Sequence, residues 1–176
     1  MLTLSLAEIR DRAQAFATSW AGETREHAEA KSFWDGFFNV FGRSRREVAS
    51  FEDPVKKITG PGKNLSDLLW KGVLMAEHKS AGKDLGKAHS QAMGYIQDMI
   101  NEGRRNELPH YLIVSEFNRI ALHDLDENTH LEIKLEDLAK NVEAFGFLAG
   151  IRQVQIKPQD PVNIEAAEKM AALHDA

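Results

Sequence analysis

The stretch DLLWKGVLMAEHKS, Asp67 to Ser80, constrains this chain more than any other. Its apolar residues read as two short strands around a turn at Lys71 and Gly72, and such strands go into a protein interior. Yet the stretch opens on an acid and closes on Glu77, His78 and Lys79. Residues two apart on a strand share a face, so Glu77 and Lys79 point one way and Ala76 and His78 the other. If Trp70 opposes Leu74 across the turn, Asp67 opposes Glu77, with Cβ atoms roughly 4.5–5.5 Å apart. A different turn shifts this pairing by one residue.

Two carboxylates at that distance repel each other unless a cation lies between them. A hard divalent ion suits them: Mg²⁺ takes carboxylate oxygens at about 2.0–2.1 Å and keeps several waters. Lys79 adds a positive charge and a donor that can orient a metal-bound water or stabilise charge on a phosphate oxygen. The adjacent carboxylates favour its ammonium form, which argues against a neutral-lysine base. A metal-activated water and a polarised phosphoryl oxygen together give phosphodiester hydrolysis. The same residues could also form a salt-bridged cluster at a sheet edge. Gln91 and Tyr95 stand four apart on the next predicted helix and so share one of its faces. Gln91 can donate and accept hydrogen bonds, to water and phosphate alike, whereas Tyr95 is equally suited to the core.

Around this hairpin the chain alternates helices and strands. Leu6, Ile9, Ala13, Phe16 and Trp20 predict a helix over residues 5–20. A second helix is expected from about residue 25 to 41, capped by Thr24, with Phe33, Phe37 and Phe41 in one core-facing row beside Trp34 and Phe38. Val48–Phe51 and Val55–Ile58 read as short elements, and GPGKN as a loop without the spacing of a P-loop. Asp84 is the expected N-cap of a helix running to about Glu102, which Gly103 ends. HYLIVSEFN, RIALHDLD and HLEIK are β-rich runs, and LEDLAKNVEAFGFLAG predicts a helix ending at Gly150. The order implies an α/β (α+β) domain with a mixed central sheet flanked by helices. Residues 1–150 form that domain, with a helical part over 1–42 and a core over 43–150. Residues 151–176 read as a two-proline linker and the start of a helical connector, in a chain expected to be part of a longer protein.

Composition excludes several classes. There is no cysteine, so disulfides and thiolate metal sites are ruled out, in keeping with the cytosol. No apolar run approaches the roughly 20 residues of a membrane span, and the N-terminus lacks the pattern of a signal peptide. The seven histidines form no H-E-x-x-H or similar set. The net charge of −5 is unlike that of a nucleic-acid binder, but residues 43–105 hold 12 Lys/Arg against 8 Asp/Glu. If these cations share a face, Lys63, Lys83 and Lys87 among them, they can contact phosphates. A solvated surface is the plainer reading of the same asymmetry.

Asp67, EHK at 77–79 and QAMGY at 91–95 together resemble the PD-(D/E)xK nucleases of the RecB-like branch. The wider text FWDGFFNVFGRSRREVASFEDPVKK, DLLWKGVLMAEHKSAGKDLGKAHSQAMGY and LPHYLIVSEFNRIALHDL is similar to the N-terminal nuclease domain of MmeI-like restriction–modification enzymes. Ser66 departs from that pattern, where an aliphatic residue is more usual before the Asp. The resemblance implies a restriction-endonuclease-like core. It also implies a Mg²⁺- or Mn²⁺-dependent endonuclease acting on double-stranded DNA in a bacterial cytoplasm. Asp67 and Glu77 would be metal ligands, with the backbone carbonyl of His78 as a third, Lys79 the catalytic lysine and Gln91 its helper. Tyr95 and Glu26 are accessory candidates. Glu23 and Glu29 are alternatives to Glu26, and a solvated helix face competes with all three. Methyltransferase and target-recognition domains would follow in the same polypeptide. S-adenosylmethionine would bind there and not here, since this chain has no Gly-rich cofactor loop and no N-P-P-Y-type motif. One E-x-K centre per chain implies two copies, as a homodimer, or two visits for a double-strand break. A non-catalytic DNA-binding or structural module with this fold, and a DNA repair or recombination nuclease, are the competing readings.

Overall fold

The computed structural model describes residues 3–56 and 63–150, without the side chains of Glu26, His27, Lys56 and residues 63–65. The expected linker and last helix over 151–176 lie outside the described residues, as do residues 57 and 58 of the Val55–Ile58 element.

Two helices come first, α1 (Leu6–Trp20) and α2 (Glu26–Val40), followed by the single turn α3 (Arg45–Val48). Helix α1 begins in a capping box: the Ser5 hydroxyl accepts the Glu8 N–H, and the Glu8 carboxylate accepts the Ser5 N–H. Two otherwise orphaned donors are satisfied reciprocally. Helix α2 lacks the expected Thr24 cap. Its N-cap is Arg25, because the Glu23 carboxylate reaches forward and takes the backbone N–H groups of both Thr24 and Arg25.

Six strands form one sheet in sequence order: β1 (Ser50–Lys56), β2 (Lys63–Trp70), β3 (Leu74–His78), β4 (Tyr111–Ser115), β5 (Arg119–Asp124) and β6 (Thr129–Lys134). All neighbours are antiparallel except β3 and β4. That parallel pair requires a crossover, supplied by α4 (Leu85–Asn101). Asp84 caps α4 by accepting the Gly86 N–H at 2.8 Å, and Gly103 ends it at φ +83°. Strand β2 begins earlier than the expected hairpin, so Asp67 lies inside it and not at its start. Pro54 is tolerated in β1 because this strand is an edge.

The sheet is covered on both faces. On one side α1 and α2 pack over Leu68, Leu74, Ala76, Ile113, Ile120, Leu122 and Ile133. The aromatic row of Phe33, Phe37 and Phe41 belongs to this core, as its spacing implied. On the other side α4 packs over Leu69, Met75, Leu112, Val114 and Ala121. This explains the near-continuous apolar run of the hairpin: both alternating sets of side chains are buried.

The expected helix ending at Gly150 is instead two 3-10 segments, Leu135–Lys140 and Val142–Ala149. Buried Leu135 and Leu138, then Val142, Phe145 and Leu148, recur mainly every three residues. That spacing fits a helix of about three residues per turn, and both segments pack on α1. Gly150 ends the run in the left-handed conformation, φ +75°.

Tyr95 ties α4 to the edge strand. Its hydroxyl lies 2.7 Å from the Asp53 carbonyl and 2.8 Å from Asp53 Oδ2, and Arg104 pairs with the same carboxylate at 2.7 Å. Burial and the hydrogen bond to Asp53 both raise the Tyr95 pKa, so the hydroxyl stays a neutral donor. Tyr95→Phe is expected to cost about 1–2 kcal/mol of stability by leaving Asp53 short of a donor. Urea unfolding followed by circular dichroism checks this.

Candidate active site

The β2–β3 hairpin has the register that places the two acids together. Trp70 pairs with Leu74, Leu69 with Met75 and Leu68 with Ala76. One step further Asp67 faces Glu77, and there the backbone ladder gives way to side chains. Asp67 Oδ2 accepts the His78 N–H at 2.6 Å, and Glu77 Oε1 lies 3.4 Å from the Asp67 N–H. The two carboxylates therefore clasp the ends of each other's strands.

The other neighbour of β2 loosens at the same level. The β1–β2 pairing passes from Phe51–Leu68 to Asp53–Ser66 and skips the rung of Glu52 with Asp67. Glu52 adopts φ +55°, which is sparsely populated for a side chain of this size. Strand β1 turns over here. Phe51 joins the α1/α2 core and Val55 the α4 core, four residues apart, which an unbroken strand does not do. Asp67 thus sits in a gap in the ladders on both sides, and that gap leaves its amide for Glu77. Ser66, in place of an aliphatic residue, is fully buried beside it.

Glu77 is 1% exposed, and its Oε2 is buried without a hydrogen-bond partner among the described residues. Its pKa is pushed up to about 8, first by burial and then by the Asp67 charge, with Lys79 acting in the opposite sense. Without a further cation, the apolar surroundings therefore favour a proton on this carboxyl group. Lys79 follows on the same strand line. Its N–H keeps the β4 connection by donating to the Ser115 carbonyl at 2.8 Å. Its Nζ donates to Gln91 Oε1 on α4 at 2.7 Å.

His78 points to the opposite side. Its ring is 1% exposed and packs edge-on against Phe33, Trp34 and Phe117, at centroid distances of 4.9, 5.8 and 4.2 Å. The E-H-K strand end is thereby wedged into the aromatic core while its acid and lysine face α4.

Asp67, Glu77, Lys79 and Gln91 are thus brought together. Tyr95 is not aimed at the acids: its hydroxyl is committed to Asp53, in a packing role. The side chains of Glu26 and Lys63 lie outside the described residues. Of its two alternatives, Glu23 binds the start of α2 and Glu29 pairs with Arg25 at 3.4 Å. Lys83 and Lys87 are exposed at the start of α4. Much of the remaining basic segment is engaged internally. Arg43 donates to the Leu148 carbonyl, Arg45 pairs with Asp35, and Lys71 and Arg104 pair with Glu107.

Sequence reasoning passed over Glu116, which is 1% exposed at the end of β4. It accepts hydrogen bonds from the Gly82 N–H and from Arg119 Nε. The signal was present: LIVSE, like LMAE, is an apolar strand ending in an acid.

Among the described residues, no group of three or more His, Asp or Glu side chains is gathered for a metal ion. The donor set that fits one is smaller, the carboxylates of Asp67 and Glu77, which interact with each other. The orphaned Glu77 Oε2 is the atom such an ion would satisfy. Mg²⁺ is commonly held by one or two carboxylates together with substrate phosphates, so this set is chemically adequate.

Comparison with known proteins places these residues in a family. The chain is 30% identical over 67 residues to DNA methyltransferase A of Bacillus subtilis (strain 168), a stretch covering 38% of this chain and 8% of that protein. It aligns over 88% of its length with 14% of a chain in the cryo-EM structure of a DrdV–DNA complex, at 14% identity and a TM-score of 0.47. This chain therefore spans only a small part of the length of either protein. The family described as MmeI, N-terminal domain, matches residues 11–176, and the chain belongs to that family.

Proposed function

We propose that this domain is a Mg²⁺-dependent DNA endonuclease, the phosphodiester-hydrolysing part of a restriction–modification polypeptide. The observation that carries this reading is the convergence of Asp67, Glu77, Lys79 and Gln91 from two strands and a helix. Membership of the MmeI N-terminal domain family supports it, as does the similarity to a DNA methyltransferase. Methyltransferase and target-recognition functions would reside elsewhere in the full polypeptide.

Asp67, Glu77 and the His78 carbonyl would hold the ion. When bound, it supplies a more acidic water and polarises a phosphoryl oxygen. The chain's own residues do the rest. The acid pair, with Glu77 buried and Asp67 partly so, would fix the place of that ion, in surroundings where charge is poorly screened. Lys79 is held by one of its N–H bonds to Gln91 Oε1, which leaves two donors for a phosphate oxygen or the attacking water. Charge accumulating on the phosphate as water adds and the ester bond breaks is thus met by a pre-positioned ammonium group. The Gln91 amide NH₂ remains available to the same substrate.

A second reading has its own observation. The reciprocal bonds of Asp67 and Glu77 to strand amides are also what a purely structural clasp would make. Glu77→Gln and Lys79→Ala separate the two. Glu77→Gln keeps the shape and is expected to weaken Mn²⁺ or Mg²⁺ binding about tenfold or more, the scale that outer-shell changes already reach. Lys79→Ala is expected to lower the nicking rate of the full native polypeptide by about 10²-fold, the cost of one transition-state donor. Calorimetric titration and supercoiled-plasmid nicking read these effects. Unchanged metal affinity and unchanged nicking would leave only the clasp.

The isolated 176-residue chain is expected to bind duplex DNA weakly and without sequence preference. Its net charge is −5, and several of its arginines are held in internal ion pairs. Affinity that rests on a few phosphate contacts falls steeply with salt. Sequence reading would require side chains in a groove. Electrophoretic shifts at low and moderate salt on varied duplexes check this. Tight, sequence-selective binding would place recognition inside this domain.

A further inference from the structure

The turn between β4 and β5 touches both the E-H-K strand end and the loop that follows it. Phe117 stands at its centre with φ +69°, in the left-handed region, and is fully buried. A bulky residue is held there only when its surroundings determine the conformation, and such positions concentrate near functional sites. What this conformation achieves is visible in its neighbours. The Phe117 ring meets the His78 ring at 4.2 Å, and Trp20 and Phe33 at 6.0 and 5.6 Å. Glu116, one residue earlier, reaches the loop ahead of α4, where its Oε2 accepts the Gly82 N–H.

Gly82 belongs to the short loop from Lys79 to Asp84, the N-cap of α4. The loop has a second anchor from the same turn: Arg119 Nη2 donates to the Lys83 carbonyl at 3.3 Å while its Nε lies 3.3 Å from Glu116 Oε1. Gly82 itself adopts φ +79°. A carboxylate at 1% exposure is stable there because a backbone N–H and a guanidinium face its two oxygens. Whatever fixes this loop also fixes the start of α4 relative to Lys79. Gln91, which holds Lys79 Nζ, stands about two turns along that helix.

We propose that Glu116 is a positioning residue for the proposed hydrolysis, holding the Gly82 loop so that α4 presents Gln91 to Lys79. This rests on the assignment of Lys79 and Gln91 to the reaction. The hydrogen bonds of Glu116 go to Gly82 and Arg119, so its loss should spare metal affinity and impair turnover.

The test compares Glu116→Ala and Glu116→Gln in the full native polypeptide. Glu116→Gln preserves volume and an acceptor for Gly82, and serves if the alanine variant does not fold. Expected in Glu116→Ala are faster hydrogen exchange at the Gly82 amide, by tenfold or more, and a single-turnover nicking rate lowered at least tenfold. The DNA concentration for half-maximal rate and the Mn²⁺ affinity should stay within twofold. Glu116→Gln should fall between this variant and the native protein on both scales. Unchanged exchange at Gly82 would overturn the claim, and so would faster exchange with native nicking. A matching loss of Mn²⁺ affinity would also overturn it, since Glu116 would then belong to the ion site. Should the native polypeptide not nick DNA, the hydrolase reading fails separately. A crystal structure of the variant then decides: loss of the Lys79–Gln91 contact supports positioning, and its retention at 2.7 Å contradicts it.

Discussion

The opposition of Asp67 and Glu77 is the constraint around which the structure is arranged. Two acids, Glu77 buried and Asp67 partly so, meet at the end of a largely apolar hairpin. Burial and mutual repulsion both penalise the doubly ionised state, which is why the Glu77 carboxyl is pushed up to about 8. The fold does not relieve this by separating them. It holds them in place through a three-sided frame: the β2–β3 register, the gap opposite Glu52, and the wedge of His78 among the aromatic side chains of α2 and the β4–β5 turn. A pair held against its own electrostatics is a pair suited to an added cation, and this is the physical basis of the function proposed.

The two faces of the sheet share the work. The α1/α2 face is aromatic and closely packed, and it grips the strand end through His78. The α4 face carries the polar groups, with Gln91 on Lys79 and Tyr95 on Asp53. The crossover helix is therefore both the cover of one core and the carrier of Gln91, a residue of the proposed site. The loop that leads into it, short and anchored by Glu116 and Arg119, links the strand end of the proposed site to that helix.

Part of this was legible in the residues. The pairing of Trp70 with Leu74 is one of the registers the turn allowed, and Gln91 was expected near the strand ends on a helix beginning at Asp84. Other features were not legible, each for a physical reason. Asp67 lies within a strand because β2 pairs with β1 upstream of the hairpin, and pairing of that kind leaves no local signature in GPGKN. The break at Glu52 is a left-handed residue that is not a glycine, so no composition rule marks it. The segment after β6 was expected to be an α-helix because its apolar spacing of three and four fits both helix types. Packing on α1 selects the tighter form. Tyr95 has the spacing of a site residue, but Asp53, distant in sequence, takes its hydroxyl. Glu116 had a local signal, an apolar strand ending in an acid, but its partner Gly82 is 34 residues away and left none.

The central claim is that Asp67 and Glu77 form a cation site. Its most direct test is anomalous diffraction from crystals soaked in Mn²⁺. The expected result is a peak between the two carboxylates, within about 2.0–2.4 Å of an oxygen of each and next to the His78 carbonyl. Absence of a peak there at millimolar Mn²⁺, with the Asp67–His78 and Glu77–Asp67 contacts intact, would contradict it and leave the pair as a structural clasp.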